Sequence, residues 1–141
     1  MRHLLVLVLL LGFNLAHGDQ CPDLSGEYLC NYDRGTELMT FTMAEEEGAV
    51  VYHYNETFHL VADGEVRDFP QDQFYNTVRV ACREGSLIVD LLAAEGEYAD
   101  HYRVKWTPIS GGIKEHTYLF DTLPAGTKRL LGQDRFFCRK Q

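Results

Sequence analysis

No Cys-x-x-Cys pair and no tight cluster of cysteine with histidine occurs in this chain, and zinc sites draw their ligands from such short spacings. No metal is expected. Gly-x-Ser-x-Gly is also missing, and Ser25, Ser86 and Ser110 fall at strand starts or turns. Neither a P-loop nor a dinucleotide fingerprint is present, so no nucleotide cofactor is expected. Asp63, Glu65 and Asp68 lack the ligand spacing and flanking helices of a calcium loop. These absences together argue against an enzyme and against any cofactor. Positive charge is scarce as well: 13 Lys and Arg stand against 21 Asp and Glu, a formal net charge of −8. Nucleic-acid binding draws on Lys and Arg to neutralise phosphates, so that class of partner is disfavoured. Internal repeats, low-complexity stretches and linkers are absent, and helical periodicity is thin.

Only the N-terminus is strongly apolar. Residues 2–18, RHLLVLVLLLGFNLAHG, have one arginine, a leucine and valine run, and small residues around Ala16-His17-Gly18. That order is a secretory signal with cleavage expected after Gly18. The run from Leu4 to Gly12 is far shorter than the roughly 20 residues that span a bilayer. Gln20 before Cys21 argues against lipidation. The expectation is a protein that is secreted or periplasmic and not membrane-spanning: a signal at 1–18 and a single domain at 19–141.

The rest is dominated by short runs of β-branched and aromatic residues broken by Gly, Asn and Asp. Strands are expected near 24–32, 38–44, 49–54, 57–62, 65–69, 77–83, 87–93, 98–107, 113–120 and 129–139. Asp63-Gly64 between two such runs is the strongest hairpin signal. Residues 69–76 suit one short turn after Pro70. Short strands with tight connections predict an all-β fold, an antiparallel up-and-down meander closing into a barrel of 8–10 strands. Closure would remove the exposed edges that invite aggregation. Alternation places Tyr28, Met39, Phe41, Tyr98, Tyr102 and Trp106 on the inward face.

The four cysteines are an even number in an exported chain, which predicts disulfides. Cys21 and Cys30 bracket an extended stretch that would hold them roughly 25–30 Å apart at about 3.3 Å per residue. A bridge needs Cα atoms within about 7 Å. A last strand lying antiparallel to the first would bring Cys138 to Cys21 and leave Cys30 for Cys82. The exchanged pairing, Cys21 with Cys82 and Cys30 with Cys138, remains the open alternative.

Gly26-Glu27-Tyr28 at the start of the first strand resembles the Gly-x-Trp that opens lipocalins, with tyrosine in place of tryptophan. Arg135 or Arg139 on the last strand is similar to the arginine that packs over that aromatic in the family. LVADGEVRDFP at 60–70 resembles a strand–Asp-Gly–strand element of small bacterial lipocalin-like proteins. The resemblance implies a disulfide-stapled cup for a small hydrophobic molecule such as a fatty acid, lined by the six inward residues named above. Bulky residues at strand spacing equally suit a filled core. The alternative is then a non-enzymatic interaction module, a secreted inhibitor or envelope-associated factor. Its surface would be the outer face near Ile88 and Leu92 with the loops at 70–75 and 108–112. A third reading, carbohydrate binding, requires Tyr52 and Tyr54 to be exposed. His53 and His59 flank a turn and could meet across it, and Asn55-Glu56-Thr57 in that turn is a glycosylation sequon.

Overall fold

The structure, a computed structural model, describes residues 20–94 and 98–141. The expected signal at 1–18 lies outside the described residues. Ten strands follow in chain order: β1 (Gly26–Tyr32), β2 (Gly35–Glu46), β3 (Ala49–Tyr54), β4 (Phe58–Val61), β5 (Val66–Asp68), β6 (Thr77–Arg83), β7 (Ser86–Leu92), β8 (His101–Ile109), β9 (Gly112–Thr122) and β10 (Lys128–Lys140). All ten coincide with runs expected from the sequence. Residues 69–76 form turns and bends without a helix, and among the described residues no helix is long and apolar enough to cross a membrane.

The strands make one antiparallel sheet in the order β4-β3-β2-β1-β10-β9-β8-β7-β6-β5. The last strand does lie against the first, with Tyr28 opposite Lys140 and Cys30 opposite Cys138. Two-residue turns suit the hairpins where both central residues take positive φ. At the β6–β7 turn Glu84 and Gly85 have φ of 51° and 68°. Alternation then sends Met39, Phe41, Tyr52, Leu87 and Ile113 into a shared core.

The expected closed barrel is not formed. β4 and β5 are the two free edges of the sheet, and the break falls at Asp63-Gly64. The predicted hairpin there is absent because the local hydrogen bonds point elsewhere. Asp63 Oδ1 accepts the Glu65 N–H at 3.0 Å and an Arg67 N–H at 2.7 Å. The Gly64 N–H donates to the Val80 carbonyl of β6 at 2.8 Å. The turn is thereby tied to β6, and the chain steps from one edge of the sheet to the other. β4 still lies beside β6. Phe58 stacks on Phe69 at 5.7 Å across the seam. Side chains, and no ladder, join β4 to β6 at this seam, while the β1–β10 ladder holds the two wings, β1–β4 and β5–β10, in one sheet.

The disulfides are Cys21–Cys82 and Cys30–Cys138, the exchanged pairing and not the favoured one. Register is the reason. β10 ends opposite Tyr28, so Cys138 meets Cys30 directly and never reaches the level of Cys21. Residues 21–25 instead run across the base of the sheet. Cys21 is bridged to β6, the Tyr52 hydroxyl donates to the Pro22 carbonyl at 2.7 Å, and the Tyr28 hydroxyl to the Leu24 carbonyl at 2.9 Å. Leu24 is fully buried beneath them. The stretch before β1 is therefore a floor that ties one wing to the other.

Candidate functional site

Above that floor is a cavity of about 240 Å³. Tyr54 of β3 and Phe58 and Leu60 of β4 form one wall. Phe69 and Asp72, in the segment after β5, stand across the seam, and Val89, Leu91, Tyr102, Val104, Trp106 and Glu115 of β7–β9 complete it. The walls support one another: Trp106 lies 5.2 Å from Phe41 and 5.3 Å from Tyr54, and Tyr75 backs Tyr102 at 6.2 Å.

Glu115 lines this cavity and is only 6% exposed. It faces Trp106 directly across the β8–β9 ladder. Its Oε2 accepts the Trp106 indole N–H at 2.7 Å and the Tyr32 hydroxyl at 3.3 Å. Burial pushes the Glu115 carboxyl above its ordinary range, and the nearby Glu37 adds to that. The two donors oppose the rise without cancelling it. Three tyrosines are displaced in turn, each by burial first and by the Glu115 charge as well. Tyr54 is pushed up to about 12, and Tyr32 and Tyr102 are also raised.

A second buried carboxylate, Asp90 of β7, faces outward on the opposite side of the sheet. It accepts from His101 at 2.6 Å, Arg103 at 2.7 Å and Arg79 at 3.3 Å. Burial alone would raise it, but the hydrogen bonds from His101 and Arg103, with the Arg103 charge, hold it well below the usual carboxylate range. His101 Nδ1 is buried without a partner among the described residues. The cluster clamps β6, β7 and β8 together. A third cluster lies at an exposed edge, where the His53 and His59 rings stack at 5.0 Å and both approach Glu46.

Of the inward residues named from the sequence, Tyr102 and Trp106 line the cavity. Tyr28, Met39 and Phe41 are buried in the core and are not among the residues lining it. Tyr98 departs from the expectation: it is 77% exposed in the turn before β8, because that strand begins only at His101 and its alternation does not extend back. Tyr52 is fully buried and Tyr54 faces the cavity, so the exposed pair required for carbohydrate binding does not exist. The outer face around Ile88 is mixed, with Tyr118 and Phe120 set among Arg83, Glu84, Arg103 and Lys105. The cation above the Tyr28 ring is Lys140, its Nζ 5.8 Å from the centroid. Arg135 and Arg139 take the outward register. Asn55 is exposed in the β3–β4 turn, with its Oδ1 accepting the Thr40 N–H at 2.8 Å.

The residue that sequence reasoning passed over is Glu115. The signal was available, because it shares the inward register of β9 with Ile113 and Thr117, a carboxylate where alternation asks for an apolar side chain. Comparison with family models, with curated proteins and with solved structures finds no match to this chain.

Proposed function

We propose that the protein is an exported, non-enzymatic, lipocalin-like carrier that holds a small, mainly apolar molecule between its two wings. The observation that supports this is the aromatic-walled cavity of about 240 Å³ with one buried carboxyl in its lining. Binding sites are commonly apolar concavities with a few convergent polar groups. The two disulfides suit an oxidising compartment, in keeping with the signal expected at 1–18. Trp106 is the only tryptophan in the chain and lines the cavity, so its fluorescence reports on occupancy. Small aromatic and aliphatic compounds are expected to change Trp106 emission and to raise Tm, the stability gained being about 2.7 kcal/mol at one hundred times Kd. A panel spanning neutral, acidic and basic compounds that changes neither would refute the carrier.

One observation favours the interaction module as a second reading. Phe74 and Tyr98, 72% and 77% exposed, stand together beside Gln73 and Ala99 at the loops that follow β5 and β7. Exposed aromatics are common anchors of protein interfaces. Capture of a partner that is lost on Phe74→Ala with Tyr98→Ala, while Trp106 remains silent to every small molecule, would favour this reading over the carrier.

A further inference from the structure

We infer that the ligand of the cavity is an organic cation, a small aromatic or alkyl amine whose ammonium group pairs with Glu115. The inference rests on the carrier role proposed above and specifies its ligand class. Glu115 Oε2 takes both protein donors, Trp106 Nε1 and the Tyr32 hydroxyl. An ionised carboxylate offers about four acceptor sites, so two donors leave it capacity toward the cavity it lines. Among the described residues no lysine or arginine lines that cavity, and the other charged side chain there is Asp72, also acidic. Glu37 acts on Glu115 and Asp134 on Tyr102 with the same negative sign. A carboxylate or phosphate ligand would be repelled, and a neutral one would leave the buried carboxyl uncompensated. An ammonium group compensates it.

The walls agree with that charge. Tyr54, Phe58, Phe69, Tyr102 and Trp106 surround the space, and aromatic rings attract cations most strongly where water is excluded. About 240 Å³ exceeds the roughly 150 Å³ of a cavity that accepts benzene. One ring with a short amine arm fits. Acidity should oppose binding. Tyr32, Glu37, Tyr54, Tyr102, Asp72 and Asp134 supply no positive charge that would keep Glu115 ionised. Its carboxyl, raised by burial, takes up a proton at higher pH than an ordinary glutamate, and amine affinity declines as it does.

The test is calorimetric titration of the purified protein with 2-phenylethylamine, 2-phenylethanol and phenylacetate, which share a ring and differ in charge. The amine is expected to bind at least about tenfold more tightly than the alcohol at neutral pH, with the acid weakest. Glu115→Gln is expected to remove the amine's advantage. Should that variant fold poorly, the wild-type pH series serves instead, with amine affinity falling toward acidic pH and alcohol affinity flat. An alcohol or acid that equals the amine, an advantage that survives Glu115→Gln, or a pH-independent amine affinity would overturn the amine while leaving the carrier standing. Silence from all three probes, together with silence across the wider Trp106 panel, would overturn both.

A separate observation carries a second inference: the geometry points to a divalent-cation site formed by Glu46, His53 and His59. His53 and His59 are directly opposite each other in the β3–β4 ladder. Their Nε2 atoms lie 3.5 and 3.2 Å from the two carboxylate oxygens of Glu46, and one ligand atom from each residue falls within 4.8 Å of the others. Tetrahedral zinc with bonds of about 2.0–2.1 Å sets its ligands at nearly those separations. Two imidazoles with a carboxylate make a donor set zinc accepts, and the exposed setting leaves the fourth position to water. Chelator-treated, tag-free protein titrated with Zn²⁺ in competition with an indicator is expected to take one ion per chain. His53→Ala, His59→Ala and Glu46→Gln are each expected to weaken binding about tenfold or more, with His116→Ala as the control. Absence of binding, or binding indifferent to these variants, would refute the site.

Discussion

Glu115 and Asp90 are both carboxylates buried within a β-sheet, yet they are displaced in opposite directions. Burial favours the neutral form of each. Glu115 is met by two neutral donors, which do not cancel that cost, and its pKa rises. Asp90 is met by His101 and Arg103, whose bonds and charge outweigh it, and its pKa falls. The consequences for stability differ in sign. A carboxyl raised in the folded state stabilises below the unfolded value of about 4.3 and loses that contribution as pH rises through the folded value. Glu115→Gln should therefore stabilise the ligand-free protein at pH 7, and that gain should vanish near pH 4. A Tm series over pH checks both. Asp90 contributes above about 3.9 and the contribution fades as pH falls toward its lowered value. Asp90→Ala should cost about 2–4 kcal/mol near neutrality by stranding partly buried cations, measured by denaturant unfolding. Inward registers made Tyr102, Trp106 and Glu115 legible in the sequence, although the carboxylate was passed over. Tyr98 was not legible, because nothing in its neighbourhood marks where β8 begins.

At the scale of elements, turn chemistry and alternation located every strand, and the error lay in a pairing. Asp63-Gly64 carries the composition of a hairpin, but composition cannot say which partner its amides choose. Arg67 occupies the Asp63 carboxylate and Val80 takes the Gly64 amide, so the turn belongs to β6. Spacing between strands is equally silent on register, which is why the disulfides exchanged partners. Close strand approach yields a further prediction. A Cβ on Gly112 would sit 2.0 Å from the Cys138 carbonyl oxygen, whereas one on Gly132 would meet nothing within 4 Å. Gly112→Ala should destabilise by more than about 2 kcal/mol and Gly132→Ala by no more than about 0.5 kcal/mol, compared by urea midpoints.

For the whole molecule, the two wings meet at a seam without backbone pairing, and the cavity lies against it. Two disulfides add covalent ties: Cys30–Cys138 reinforces the paired first and last strands away from the seam, and Cys21–Cys82 draws the floor against β6. They close loops of 61 and 108 residues, and removing either should cost about 4–5 kcal/mol as an upper limit. Their effects on the cavity should differ. Cys21→Ser with Cys82→Ser releases the floor and should weaken ligand binding by more than its stability loss alone implies. Cys30→Ser with Cys138→Ser should not, and Trp106 titrations of the two double variants at matched folded fraction check this.

A carrier requires the cavity to be open to a small molecule, and methyl NMR addresses that most directly. Leu60, Val89, Leu91 and Val104 place methyl groups around the cavity, while Leu38, Ile109 and Leu130 carry theirs on the surface. Titration with 2-phenylethylamine is predicted to shift the four cavity residues in a saturable way and leave the three surface residues unmoved. Shifts confined to surface methyls, or none at saturating concentration, from 2-phenylethylamine, 2-phenylethanol, phenylacetate and the wider panel alike would contradict it.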